Sequence, residues 1–192
     1  MGKSGSGKTT LMNSLGLLDK FSNGKYLFNG QDITNVNENE RARLRNEYLS
    51  FIFQQFHLID SLTIAQNVEL PLLYQKKYKK KERQKKVKEY LSLVGIEDKY
   101  NSKPNELSGG QQQRVAIARA LINKPYVIFA DEPTGSLDTE NSIQIMNILS
   151  QLNKEGKTII MVTHDKDLVK YATKVIEIID GKIKEVKSIV DN

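Results

Sequence analysis

Met1-Gly2-Lys3-Ser4-Gly5-Ser6-Gly7-Lys8-Thr9-Thr10 opens the chain, and the rest of the sequence is best read outward from it. Glycines at 2, 5 and 7 let the backbone take positive φ and approach an anion with no Cβ in the way. Successive N–H groups along such a stretch can curl around a polyphosphate, and Gly2-x-x-x-x-Gly7-Lys8-Thr9 fits the phosphate-binding loop. Residues 10–18 are apolar enough to predict a helix, so the loop ends at a helix N-terminus, where unpaired amides and the positive dipole end favour a phosphate. Gly2, Ser4, Gly5, Ser6, Gly7, Lys8, Thr9 and Thr10 are therefore candidate nucleotide ligands. Lys8 is expected to reach the β- and γ-phosphates of ATP, and the Thr9 hydroxyl to hold Mg²⁺. The bland alternative is a flexible Gly/Ser-rich tail, but four specified positions in register seldom arise by chance. A loop of this kind normally follows a buried strand, and here only Met1 precedes it.

Composition narrows the class. A chain of 192 residues with 39% hydrophobic residues can build one domain, or one domain with an inserted subdomain. There is no cysteine, which excludes a disulfide framework and a thiolate metal site. No apolar run approaches the length of a membrane span, and no signal peptide is visible. The net charge of +6 is concentrated between Lys76 and Lys88, which hold eight Lys and one Arg against one Glu. Nucleic acid or anionic lipid could meet such a run. Val87, Leu91 and Val94 give it an apolar stripe, however, and the expected reading is a solvated helix face with no nucleic-acid partner.

Along the chain, residues 24–30 read as one arm of a β-hairpin ending in Asn29-Gly30. Residues 38–46 have helical composition, and 48–53 are aromatic and β-branched enough for a strand that delivers Gln54 at its end. Residues 64–94 read as helices interrupted by Pro71, carry no strand signal and suggest a helical insertion over 58–106. Ser108-Gly109-Gly110 opens a strong helix over 111–122. The remainder alternates strand and helix: strands at 127–130 and 158–162, an amphipathic helix at 139–152, a short helix at 166–172 and a final hairpin from 175 through Asp180-Gly181. The near-continuous apolar strands predict a mainly parallel sheet covered on both faces, an α/β fold.

Chemistry gathers at strand ends. Asp131-Glu132 directly follows the strand at 127–130, where side chains reach the ligand crevice of an open α/β sheet. Asp131 is expected to hold Mg²⁺, directly or through water, and Glu132 to orient or deprotonate the water attacking the γ-phosphate. An acidic surface turn is the alternative, disfavoured by the loop upstream. His57 is expected to be a loop or packing residue.

With these residues in place the sequence resembles the ABC-type ATPases. Leu107-Ser108-Gly109-Gly110-Gln111 matches their signature peptide, Gln54 their Q-loop glutamine, Ser136-Leu137-Asp138 their D-loop and His164 their switch histidine, all in the family order. The resemblance implies a P-loop NTPase fold of ABC type spanning residues 1–192, with a helical subdomain inserted at 58–106 and an antiparallel β part. It implies a head-to-tail dimer holding two ATP molecules, each between one copy's P-loop and the other's Ser108, Gly109, Gly110 and Gln111. In that arrangement His164 meets the γ-phosphate, Gln54 senses Mg²⁺ and water, and Asp138 links the two sites. Phe53-Gln54-Gln55-Phe56-x-Leu58 and Asn67-Val68-Glu69-Leu70-Pro71 look like the lipoprotein-release, macrolide-export and antimicrobial-peptide (bacteriocin) subfamily. That subfamily works with FtsX-like membrane subunits at the cytoplasmic side of the membrane, and residues from about Phe56 to Leu73 are the expected docking surface. The competing classes are a soluble ABC ATPase acting on nucleic acid or ribosomes, and a non-catalytic fragment. The family places strands upstream of the P-loop, so the chain is expected to be N-terminally incomplete, with the missing strand lying beside the one that carries Asp131.

Overall fold

The computed structural model describes residues 1–2, 5–20, 22–75 and 77–189. In chain order the elements are helix α1 (Lys8–Leu15), the short strands β1 (Leu27–Phe28) and β2 (Gln31–Asp32), and helix α2 (Glu38–Tyr48). Strand β3 (Leu49–Phe53), helices α3 (Ile64–Gln75), α4 (Lys80–Leu93) and α5 (Gly109–Leu121), and strand β4 (Val127–Asp131) follow. Helix α6 (Thr139–Lys154), strand β5 (Thr158–Val162) and the pair β6 (Lys174–Ile179) and β7 (Lys182–Ser188) complete the fold.

The central sheet has the order β3-β4-β5, all parallel, with Phe53 opposite Asp131 and Asp131 opposite Val162. β4 explains why its run is continuously apolar. Ile128 and Ala130 sit in one buried cluster with α3, α4, α5 and α6, whereas Phe129 sits in a second with Met12, Leu44, Leu49 and Val162. Both faces of the sheet are therefore covered, as a parallel sheet requires. The hairpins fall where the turn chemistry puts them. Asn29 and Gly30 join β1 to β2, Asp180 and Gly181 join β6 to β7, and all four have positive φ.

Helix starts follow their caps. Asn37 accepts from the Glu40 N–H (2.9 Å) at the head of α2, and Asp138 from the Asn141 N–H (2.8 Å) at the head of α6. α5 opens with a reciprocal box: Ser108 Oγ accepts from the Gln111 N–H, and Gln111 Oε1 accepts from the Ser108 N–H.

Three expectations need correction. The helix predicted for residues 10–18 runs from Lys8 to Leu15 and stops early. Arg41, only 5% exposed, donates to the carbonyls of Leu17 and Asp19 (both 2.8 Å), and Arg45 donates to Leu17 (2.7 Å). These guanidiniums hold the chain leaving α1 in place, and Leu17 turns left-handed at φ 60°. Pro71 does not interrupt its helix: it lies inside α3, and the break comes between α3 and α4. Val68 and Leu72, buried on either side of it, pack in the same core as α5, and that burial outweighs the lost hydrogen bond.

The third correction concerns the sheet. β4 is paired along both edges, by β3 and by β5, so no strand position is open beside the strand carrying Asp131. Among the described residues, β5 pairs with no strand but β4, and β6 with no strand but β7. Between β5 and β6 lies a cleft of about 490 Å³, lined by Leu11, Met12, Met146, Leu149, Ile160 and Val175 among others. Met1 stands in it: its amino group donates to the Ile176 carbonyl, and its own carbonyl accepts from the Ile178 N–H (2.8 Å). That is the bonding pattern of a parallel strand pair.

Candidate active site

The three central strands end at one level and deliver three consecutive functional positions. Gln54 follows β3, Glu132 follows the last residue of β4, and Thr163-His164 follows β5. Glu132 has φ 45°, a left-handed backbone rare for a residue with a side chain. Its carboxylate is held at both oxygens. The His164 N–H donates to Oε1 (3.0 Å), His164 Nδ1 lies 2.7 Å from the same oxygen, and the Thr163 hydroxyl donates to Oε2 (3.1 Å). Thr163, which sequence reading passed over, is buried and also accepts from the Asp165 N–H (3.0 Å). Its one-residue offset from His164 at the end of an apolar strand was the available signal.

Gln54 lies against the turn that follows Glu132. A Cβ on Gly135 would come within 2.9 Å of Gln54 Nε2 and 3.4 Å of the Glu132 Cβ, so glycine is what lets the carboxamide sit there. The Ser136 hydroxyl donates to the Gln54 carbonyl (3.1 Å), fastening this turn to the end of β3.

The N-terminal loop faces the same end of the sheet. Gly5 and Gly7 have φ 79° and 91°, and Gly7 caps α1, which packs on β5. Ser6 is buried, and the Lys8 ammonium donates to its hydroxyl (3.3 Å). Ser4 lies outside the described residues. Thr9 hydrogen-bonds the Asp131 carboxyl, which ties the loop to the end of β4. Thr10 is exposed on the first turn of α1.

Burial pushes the Asp131 carboxyl above the usual carboxylate range and the Glu132 charge adds to the shift, against the opposing pull of Thr9 and Lys8. A raised native value means that ionisation opposes folding. The penalty is absent below the unfolded value and grows as pH rises through the raised one. Asp131→Asn should therefore raise the melting temperature of the nucleotide-free protein at pH 7 by roughly 1–2 °C, the group being partly solvated. A thermal melt unchanged or lowered by the substitution would refute this charge strain.

Magnesium was expected at Thr9, Gln54 and Asp131. No group of three or more His, Cys, Asp or Glu residues among the described residues forms a protein-only metal cage. A hydroxyl, a carboxamide and one charge-strained carboxyl instead suit a hard ion that keeps waters and phosphate oxygens as its other ligands. Ser108, Gly109, Gly110 and Gln111 stand on another part of the chain, at the head of α5, whose neighbours are α3, α4, α6 and β3. Asp138 is engaged inside the chain: both oxygens accept from Asn141, which holds the carboxyl below its ordinary range. His57 packs edge-on against the Phe53 ring (4.9 Å).

A glycine-rich loop whose Thr9 meets Asp131, at the ends of adjacent parallel strands that also lead into Gln54, Glu132 and His164, suits a nucleotide-binding P-loop fold, and comparison with known proteins points the same way. The ABC transporter family model matches residues 1–135. An uncharacterized ABC transporter ATP-binding protein of Methanocaldococcus jannaschii, MJ1508, is 52% identical over 186 residues, covering 97% of this chain and 83% of that one. The macrolide export ATP-binding/permease protein MacB of Vibrio parahaemolyticus is 49% identical over 183 residues, 95% of this chain but 28% of its own length. The solved dimeric structure of the ATP-binding cassette MJ0796, bound to ADP and Pi in a post-hydrolysis state, superposes with a TM-score of 0.91 at 41% identity, covering 100% of this chain and 84% of that one. The chain belongs to the ABC transporter family. It is an ATP-binding, ATP-hydrolysing subunit of a membrane transporter. No helix among the described residues is long and apolar enough to cross a membrane.

Proposed function

We propose that this subunit hydrolyses ATP in a composite site shared by two copies, and that hydrolysis drives an export permease from the cytoplasmic side of the membrane. The observation that carries the proposal is the convergence of Thr9, Gln54, Asp131, Glu132 and His164 at the ends of three paired strands. The loop from Gly2 to Thr10 cradles the phosphates, with Lys8 on the β- and γ-oxygens. Mg²⁺, held by Thr9, Gln54 and Asp131, would neutralise phosphate charge. Glu132 takes the proton of the attacking water. His164 bonds Glu132 Oε1 through its N–H and Nδ1, and a turn of its ring toward the γ-phosphate would free that oxygen for water. The other copy supplies Ser108, Gly109, Gly110 and Gln111, a helix N-terminus with a hydroxyl aimed at the γ-phosphate. Asp138, an N-cap in the single chain, links the two sites once the interface forms.

Macrolide export by MacB and the subfamily motifs support an exporter for a peptide, lipoprotein or antimicrobial compound, with an FtsX-like permease as partner. The permease docks beside residues 56–73, which lead into the helical insertion at 58–106. A groove of about 780 Å³ lies next to that segment, between α2 and β3 on one side and the end of α3 and α5 on the other.

The composite site has a direct test. Lys8→Ala and Ser108→Arg should each abolish ATP hydrolysis alone. Mixed in equal amounts they regain activity, because half the dimers carry one site with an intact Lys8 and an intact Ser108. Recovery of about a quarter of wild-type phosphate release is expected. A mixture as inactive as its components would reject the head-to-tail arrangement.

A further inference from the structure

Gln113, on α5, is fully buried (0% exposed). Its Nε2 donates to the Pro133 carbonyl (2.6 Å), whereas its Oε1 has no hydrogen-bond partner. Burying a carboxamide oxygen unpaired is unfavourable, and a methionine of similar volume would fill the same space without that penalty. Packing alone therefore does not call for glutamine here. What the carboxamide adds is a donor to the residue that follows Glu132.

The receiving end of that bond is a strained turn. Glu132 combines a left-handed backbone (φ 45°) with a following proline, which crowds the residue before it and favours extended backbone there. Such a conformation persists only where its surroundings fix it. The Glu132 N–H donates to the Val162 carbonyl (2.9 Å), and the Glu132 carbonyl accepts from the Gly135 N–H (3.0 Å). The first bond ties the turn to β5, and the second is internal to it. Gln113 adds a hold from α5 on the buried Pro133. The carboxylate itself is held by Thr163 and His164, but a turn of the His164 ring toward the γ-phosphate gives up part of that hold. The backbone turn then carries more of the carboxylate's aim.

We propose that Gln113 is a positioning residue for ATP hydrolysis: through the Pro133 carbonyl it fixes the left-handed turn that aims the Glu132 carboxylate at the attacking water. Being fully buried, it acts through Glu132 and meets no nucleotide itself. Misplacing a reacting group by about 1 Å can cost roughly 10²-fold in rate. Loss of Gln113 costs less, because the bonds to Val162 and Thr163 remain. The competing role is glue for α5, whose head carries Ser108, Gly109 and Gly110. Gly110 leaves room for the Asn141 carboxamide, so α5 also rests on the segment that follows Glu132. In that role the damage would fall on Ser108 rather than on the base. The inference rests on the reading of Glu132 as the general base and names what holds it in place.

In the full chain, Gln113→Met should lower kcat about 10-fold while ATP affinity, read with a fluorescent ATP analogue, stays within about 2-fold. The melting temperature should be unchanged or raised, because the orphaned oxygen leaves with the donor. Gln113→Leu serves if the methionine protein does not fold. Activity that falls only in step with the melting temperature overturns the proposal. Mixtures of the Lys8→Ala and Ser108→Arg chains locate the defect, because the Ser108→Arg chain supplies Glu132 to the competent site and the Lys8→Ala chain supplies Ser108. Gln113→Met should lower the recovered hydrolysis about 10-fold on the former chain and leave it within about 2-fold on the latter. The reverse pattern or equal losses assign Gln113 to α5 and overturn the proposal, as does no loss on either chain. If the parent mixture is inactive, the head-to-tail reading fails by itself and the double variant Glu132→Gln/Gln113→Met decides. No loss beyond that of Glu132→Gln upholds the assignment, and a further loss of about 10-fold overturns it. Turnover retained by Glu132→Gln alone rejects the base and this inference together.

Discussion

Glu132→Gln should lower the rate of ATP hydrolysis by on the order of 10²-fold or more while leaving ATP binding intact, and should accumulate an ATP-bound dimer. The local geometry makes this substitution clean. Oε1 accepts from the His164 N–H and lies beside Nδ1, and Oε2 accepts from the Thr163 hydroxyl, which itself accepts from Asp165. A glutamine can keep its carbonyl toward His164 and turn its amide toward Thr163 Oγ1, a hydroxyl with acceptor capacity. The left-handed turn at residue 132 and the level of β4 against β5 are thus retained. What disappears is an anion able to take a proton from water. Phosphate release checks the first half of the expectation, and gel filtration with and without ATP the second. Unchanged turnover rejects Glu132 as the base. Lost turnover without a dimer instead separates catalysis from association.

The parts of this site legible in the sequence are those whose chemistry is local. A phosphate-binding loop needs Gly5 and Gly7 at positive φ, and both have it; the Asn29-Gly30 and Asp180-Gly181 turns need the same and were equally readable. Asp131-Glu132 and His164 could be placed because an apolar run ending in polar residues marks a buried strand reaching the crevice. Contacts between distant segments left no such mark. α1 ends at Gly16, a stop the sequence does carry, but the path beyond it is held by Arg41 and Arg45, more than twenty residues further along, and nothing near residues 15–18 announces them. Pro71 reads as a break because the local cost is visible, whereas the packing of Val68 and Leu72 that offsets it is not. Thr163 is similar: a threonine beside His164 looks incidental until its hydroxyl is found on Glu132. Strand order was misread for a related reason. Motif order along the chain does not say which strands are neighbours, and β4 proved to be paired on both sides.

Joining an extended Val/Ile-rich segment of about five residues to Met1 should raise the melting temperature by roughly 10 °C, more than any point substitution considered above. Met1 already bonds to β6 as a parallel strand does, using the Ile176 carbonyl and the Ile178 N–H. Residues added before it in the same register would run along Lys174–Ile176 and the residues just before β6 with one edge, and face with the other the edge of β5 left unpaired among the described residues. The cleft between the two edges is walled by Leu11, Met12, Met146, Leu149 and Ile160. The added side chains would alternate between the two faces of the sheet, each burying apolar surface worth about 1.5–3 kcal/mol before about 1.5 kcal/mol per residue of ordering entropy is subtracted. The amino terminus adds to the effect. Burial and the nearby Lys8 charge hold its pKa below the ordinary value, so its charged form is disfavoured where it stands, and a peptide bond at that position removes the charge. A sequence-scrambled segment with Asp and Gly in place of Val and Ile is the control. Equal melting temperatures for the two extended proteins would show that the cleft does not accept a strand. A selective gain, accompanied by slower hydrogen exchange at the β5 amides 158–162, would show that it does.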